Sequence, residues 1–160
     1  MNVMLLLCDH AEVAEGKLFI NGGGWDTTGS PTAPFSIAVM IWVPWDRTNS
    51  RVNFRLALFD QDGQPVRQQM PDGNVVSIEI GGEFEVGRPP GAIEGAAMAV
   101  PLAFNFPPMP LPPGRFEWQA WVDGETKEAW SYAFTTRAQE EPEEPPLPPG
   151  PSGPTDYQLP

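Results

Sequence analysis

The sequence predicts an all-β fold, a two-sheet β-sandwich of immunoglobulin-like type with one short N-terminal helix. Three observations predict it. Apolar residues recur at every second position over most of residues 17–136, the spacing of strands buried on one face. Turn-forming clusters separate these runs. The 21 prolines and 16 glycines among 160 residues leave little room for long helices. Several strands with one apolar face each must bury those faces together, and two packed sheets do so most simply. A closed or partly open β-barrel is the alternative, because period-two alternation is common to both.

The elements follow in order. Residues 3–8 read as a strand. Asp9-His10-Ala11-Glu12 has the D-x-x-E form of a capping box, and Gly16 stands where a helix would end in left-handed geometry. A helical turn or two is therefore expected over 10–15, followed by a strand over 17–22. Phe35, Ile37, Val39, Ile41 and Val43 share one parity, as do Val52, Phe54, Leu56 and Leu58. Val76, Ile78 and Ile80 read as another strand, with Phe84 and Val86 beyond. Met98 to Phe106, Phe116 to Val122, and Trp130 to Phe134 complete the set. Turns are expected at Asp60–Gly63, Pro71–Gly73, Gly81-Gly82, Arg88–Gly91 and Pro112–Gly114. Asp123-Gly124, between two alternating runs, is the strongest hairpin signal.

Composition divides the chain into a β-sandwich domain over 1–136 and an acidic, proline-rich tail over 137–160. The tail holds 8 of the prolines and 5 acidic residues, and too few apolar side chains to offset its ordering entropy. It is expected to be disordered or polyproline-II-like. It reads as a solubilising tail, or as a docking peptide with Tyr157 and Leu159 as its apolar contacts.

Nine basic residues against 21 acidic ones give a formal charge of −12 and a pI near 4.3. Such a surface repels phosphate backbones and anionic lipid, so neither nucleic acid nor a membrane is expected as partner. No segment approaches the roughly 20 apolar residues of a membrane-spanning helix. The start Met1–Cys8 has no cationic region of the kind that opens a secretion signal, so a cytoplasmic location is expected. One cysteine permits neither an intramolecular disulfide nor a cysteine-built zinc site.

Three stretches hold residue types that could carry chemistry. Cys8, Asp9, His10 and Glu12 crowd together, but a strand or a capped helix would not bring them to one point. Gly22-Gly23-Gly24 follows a strand as a phosphate loop does, yet neither a helix nor a nearby base follows it; a bulge or sheet corner is expected. The acidic residues fall on polar strand faces and turns, and Asp60–Gly63 lacks the downstream acid of a calcium loop. No catalytic residue, metal or cofactor is therefore expected. The aromatic residues are the surplus. Trp118 and Trp130 take the core parity, whereas Trp42 and Trp121 take the opposite one, with Trp45 and Phe59 as possible extensions. Trp42, Trp45 and Trp121 are the candidate binding residues, since a solvent-facing tryptophan on a strand often marks a binding face.

The run Leu5–Trp25, together with Pro34–Val39 and Val43-Pro44-Trp45, resembles a family of small bacterial proteins of unknown function, frequent in actinobacteria. Members carry an N-terminal LLCD-A-x-V-x-x-GK-L-x-I-x-GGGW run. The resemblance covers about residues 3–135 and implies a cytoplasmic bacterial β-domain; it carries over no activity, cofactor or catalytic residue. The expected function is a non-enzymatic protein-interaction or self-assembly module, its partner another protein or a second copy. A small-ligand or carbohydrate-binding module is the alternative, and an unrecognised hydrolase built on carboxylates or Cys8 the third reading.

Overall fold

A computed structural model describes residues 1–138, and they form an all-β domain of two curled sheets and one small hairpin. The strands are β1 (Asn2–Ala14), β2 (Lys17–Gly23), β3 (Thr27–Ser30), β4 (Phe35–Val43), β5 (Arg51–Asp60) and β6 (Arg67–Gln69). They continue with β7 (Val75–Ser77), β8 (Glu79–Glu85), β9 (Met98–Phe106), β10 (Gly114–Val122) and β11 (Ser131–Ala138). A four-stranded sheet has the order β2-β1-β4-β9 and a five-stranded sheet the order β3-β11-β10-β5-β8. Strands β6 and β7 pair alone. Neighbours are antiparallel except β3, which runs parallel to β11.

Alternation builds the core as the sequence implied. Val3, Leu5 and Leu7 of β1 point inward beside Ile37, Val39 and Ile41 of β4. The other sheet contributes Val52, Phe54, Leu56 and Leu58 from β5, and Phe116, Trp118, Ala120 and Val122 from β10. These residues join one continuous apolar cluster drawn from both sheets, with Trp118 and Trp130 almost fully enclosed. A second, smaller cluster of Cys8, Ala11 and Ala38 lies apart, with Leu6, Leu18 and Ala103 against it. Leu7 and Cys8 are thus both buried although adjacent, because each joins a different cluster. Burial pushes the Cys8 thiol pKa above its ordinary value.

The N-terminal helix is absent. Residues 9–14 continue β1, paired residue for residue with β2 from His10↔Asn21 to Ala14↔Lys17. Glu15 (φ 50°) and Gly16 (φ 70°) form the two-residue turn, both left-handed as a type I′ hairpin requires. Tertiary pairing has overridden the capping signature: the Asp9 carboxylate lies over Gly22, where a β-carbon would otherwise stand. The glycine run makes the corner expected of it. Gly24 (φ 92°) donates its N–H to the Leu7 carbonyl at 2.8 Å, and the chain then leaves the four-stranded sheet for β3. Trp25 fills that corner, edge-on to Phe35 at 5.8 Å and to Phe134 at 6.1 Å.

Three further expectations are corrected. Gly81-Gly82 is not a turn but the middle of β8, opposite Arg55 and Phe54. The single strand expected over 76–80 is divided between β7 and β8, with Ile78 bonded to Val66 and Leu58 instead. The last strand passes residue 136 and ends at Ala138, held by the pairing of Ala138 with Ser30. The expected tail over 139–160 lies outside the described residues.

Candidate functional site

The outer face of the five-stranded sheet carries an elongated groove, and strand parity explains why. With Phe116, Trp118, Ala120 and Val122 committed to the core, β10 turns Arg115, Glu117, Gln119 and Trp121 outward. Register then sets Trp121 opposite Arg55 and Glu117 opposite Phe59 on β5. Next to Arg55 on the far side stands Gly81 of β8, whose missing side chain leaves the space beside Trp121 open.

The Trp121 ring is held from two sides. The Arg55 guanidinium lies 4.6 Å from its centroid, and the Phe59 ring 5.8 Å away at a 52° tilt. Arg55 is itself fixed by Glu79, with Nη2 and Nε donating to Oε2 at 2.9 and 3.2 Å. Both walls are tied to the backbone. Gln119 Nε2 donates to the carbonyls of Lys127 (3.1 Å) and Trp130 (3.2 Å) and to Thr126 Oγ1, whose hydroxyl donates to Ala120 O at 2.7 Å. On the other side, Asp60 Oδ1 accepts the N–H groups of Asp62 (2.9 Å) and Gln64 (2.8 Å).

Between these walls lies a depression of about 620 Å³ floored by Phe59 and Trp121. It shares Asp60, Gln61, Arg115 and Phe116 with a second depression of about 330 Å³ beside Pro112–Gly114. Past Trp121 it meets a third, of about 500 Å³, lined by Arg55, Glu79 and Gly81. Aromatic faces and a rigid polar rim can grip a ligand by stacking and by side-chain hydrogen bonds. Among the described residues, no three His, Cys, Asp or Glu side chains gather as a metal site. No helix there is long and apolar enough to cross a membrane.

The structure separates the tryptophans that the sequence grouped. Trp121 lies in the groove. Trp42 is half-buried on the outer face of the other sheet, across from Asn2 and Ala99. Trp45 begins a 3-10 turn (Trp45–Arg47) between β4 and β5, where Arg88 covers its ring at 4.1 Å. Trp42 and Trp121 therefore do not form one face. Sequence reasoning had Phe59 and Trp121 pointing outward but missed Arg55, Gly81 and Gln119 as their frame. The outward parity of Arg55 and Gln119 was the available signal; the adjacency of β5, β10 and β8 was not.

A family model matches residues 3–135. The chain belongs to DUF6941, a family of unknown function. The matched span holds the groove entire and stops inside β11 of this DUF6941 domain, short of residues 139–160. No curated protein matches the chain.

Proposed function

We propose that this DUF6941 domain is a cytoplasmic, non-enzymatic β-sandwich of immunoglobulin-like type that binds protein, by docking an extended polypeptide along the outer groove. One observation carries the reading: the Phe59 and Trp121 rings face the groove already packed on each other and under Arg55, beside the hydrogen-bonded Gln119–Thr126 wall. A rigid aromatic platform loses little conformational entropy on binding, the property of interface anchors. Shape supports an extended ligand. The nine residues of β10 span about 26 Å at ~3.3 Å per residue, and the depressions run end to end along them. The net charge of −12 favours protein over nucleic acid or anionic membrane. One core drawn from both sheets supports the sandwich reading.

Selection from a displayed library of random 12-residue peptides, followed by calorimetric titration of the full chain, tests this. Trp121→Ala should weaken the best peptide by tenfold or more, while Trp42→Ala should leave it unchanged. Peptides that bind both variants equally well would refute the reading. A second reading has its own support: the 620 Å³ depression lies within the ~300–1,000 Å³ of small-molecule sites, which fits a small-ligand or carbohydrate-binding module. Saturable, Trp121-dependent binding from a glycan and metabolite panel, with no peptide binding, would decide for it.

A further inference from the structure

We propose that the groove is occupied by the chain's own segment Pro145-Pro146-Leu147-Pro148-Pro149, folded back along β10. The inference rests on the peptide-docking reading and names the peptide. The described chain ends beside the groove. Thr136 pairs with Gly114 and donates its hydroxyl to Pro112 O, so β11 ends beside Pro112–Gly114, the mouth of the 330 Å³ depression. Ala138, the last described residue, therefore stands at one end of the groove.

At the ~3.1 Å per residue of a proline-rich chain, residues 145–149 reach about 22–34 Å beyond Ala138. Trp121 stands seven positions along β10 from Gly114, about 23 Å at ~3.3 Å per residue. Ala138 lies two residues past Thr136, the partner of Gly114, which adds about 7 Å; a chain that reverses there would bring the proline block over the stretch between Phe59 and Trp121.

Prolines lack N–H groups, so this segment suits a sheet face, which offers side chains, rather than a sheet edge, which offers unpaired backbone. Proline rings pack against tryptophan and phenylalanine faces, as proline-rich segments do in aromatic-lined grooves. Ahead of the block in sequence come Glu140, Glu141, Glu143 and Glu144, and docking would bring these carboxylates past Arg67 and Arg115, which line the groove mouth. Among the described residues neither arginine is engaged in an ion pair. Asp60 and Asp62 share that stretch, and Asp60 already accepts two backbone N–H groups.

The test uses the full chain, ¹⁵N-labelled, with a nitroxide on the Ser152→Cys variant just past the block. Cys8 is fully buried, so the label goes to the introduced thiol. The Trp121 indole N–H signal should lose most of its intensity relative to the reduced sample, and that of Trp42 on the opposite sheet should not. Mixing spin-labelled unenriched chains with unlabelled ¹⁵N chains should leave Trp121 intact; broadening there would move the occupant to a neighbouring copy and overturn the intrachain assignment. No broadening in either sample overturns the proposal outright. If an added library peptide still binds in a Trp121-dependent way, the docking reading survives that failure; if none binds, both fall. Replacing the four prolines of the block by serine should tighten binding of the added peptide, and unchanged affinity counts against the proposal.

Discussion

Substituting Glu15 by Asn separates the hairpin from the helix it replaced. Glu15 sits at φ 50° in the tight turn closed by the Ala14–Lys17 pair. A residue carrying a β-carbon is strained in left-handed geometry by roughly 1–2 kcal/mol, whereas Asn visits it readily. Relief of about half that strain predicts a gain of ~0.5–1 kcal/mol for Glu15→Asn. The position is exposed and its neighbour Gly16 has nothing within 4 Å of its would-be β-carbon, so no packing obscures the backbone effect. For a domain of this length ~1 kcal/mol moves Tm by about 2–4 °C, so the melting point should rise by ~1–4 °C, with a matching rise in urea midpoint. The sign is what decides. If residues 10–15 were helical, Asn would be the poorer helix former and the variant would lose a few tenths of a kcal/mol. Gly16→Ala would not discriminate, because a left-handed glycine is required by both readings. An unchanged or lowered midpoint in Glu15→Asn would refute the turn geometry.

Trp121→Ala loses the ring contacts with Phe59 and Arg55 and should cost about 1–2.5 kcal/mol, from ~0.5–1.5 for an aromatic pair and ~0.5–1 for a surface cation–π contact. Trp118→Ala, wholly inside the core, should cost ~3–5 kcal/mol in the same urea titration; equal costs would contradict the burial difference. Gly81→Val should fill the space beside Trp121 and weaken peptide binding about tenfold with the urea midpoint held or raised, since the nearest atom to its new β-carbon is the Phe54 carbonyl oxygen at 3.4 Å. Burial raises the Cys8 pKa above its ordinary 9.0, so the folded state keeps the proton longer than the unfolded chain. That contribution is full below about pH 9 and is lost as pH rises through the folded value, so Cys8→Ala should flatten the fall in urea midpoint above pH 9. Tyr132, raised above 10.0 by burial and then by Asp26, should leave a residual slope at the alkaline end.

Two turns of the same geometry show what local sequence can reveal. Asp123 (φ 51°) and Gly124 (φ 78°) form a two-residue connection bonded both ways between Val122 and Glu125, at 2.9 and 3.0 Å. Glu15 and Gly16 adopt the same left-handed pair. The first was legible because aspartate tolerates that geometry and alternating runs flank it. The second was hidden because glutamate does not favour it and D-x-x-E imitates a cap. Strand β1 is settled only by its partners: Asp9 could have capped a helix, but His10 to Ala14 find bonding partners on β2. Glycines misled in the opposite direction at Gly81-Gly82, where pairing with β5 keeps the backbone extended. In each case a ladder to a partner strand outweighed a local preference of about 1 kcal/mol.

The candidate site was legible one strand at a time and no further. Parity within β10 turned Trp121 outward, and parity within β5 did the same for Phe59 and Arg55, because each strand's core residues leave its alternate positions no other direction. Parity said the same of Trp42, yet Trp42 lies on the other sheet. What joins Phe59, Arg55 and Trp121 is the order β10-β5-β8, which depends on pairings 22 or more residues apart in sequence, as with Ala57 and Glu79. What opens the groove beside them is a side chain that is not there, at Gly81. A patch read from exposed tryptophans alone would spread the proposed binding surface over two opposite faces; the strand order gathers Phe59, Arg55 and Trp121 on one. The single-face assignment is therefore the part of the functional reading that topology supplies, and a pair of variants measures it. Trp42→Ala and Trp121→Ala should differ in peptide affinity by tenfold or more, while two tryptophans serving one surface would fail together.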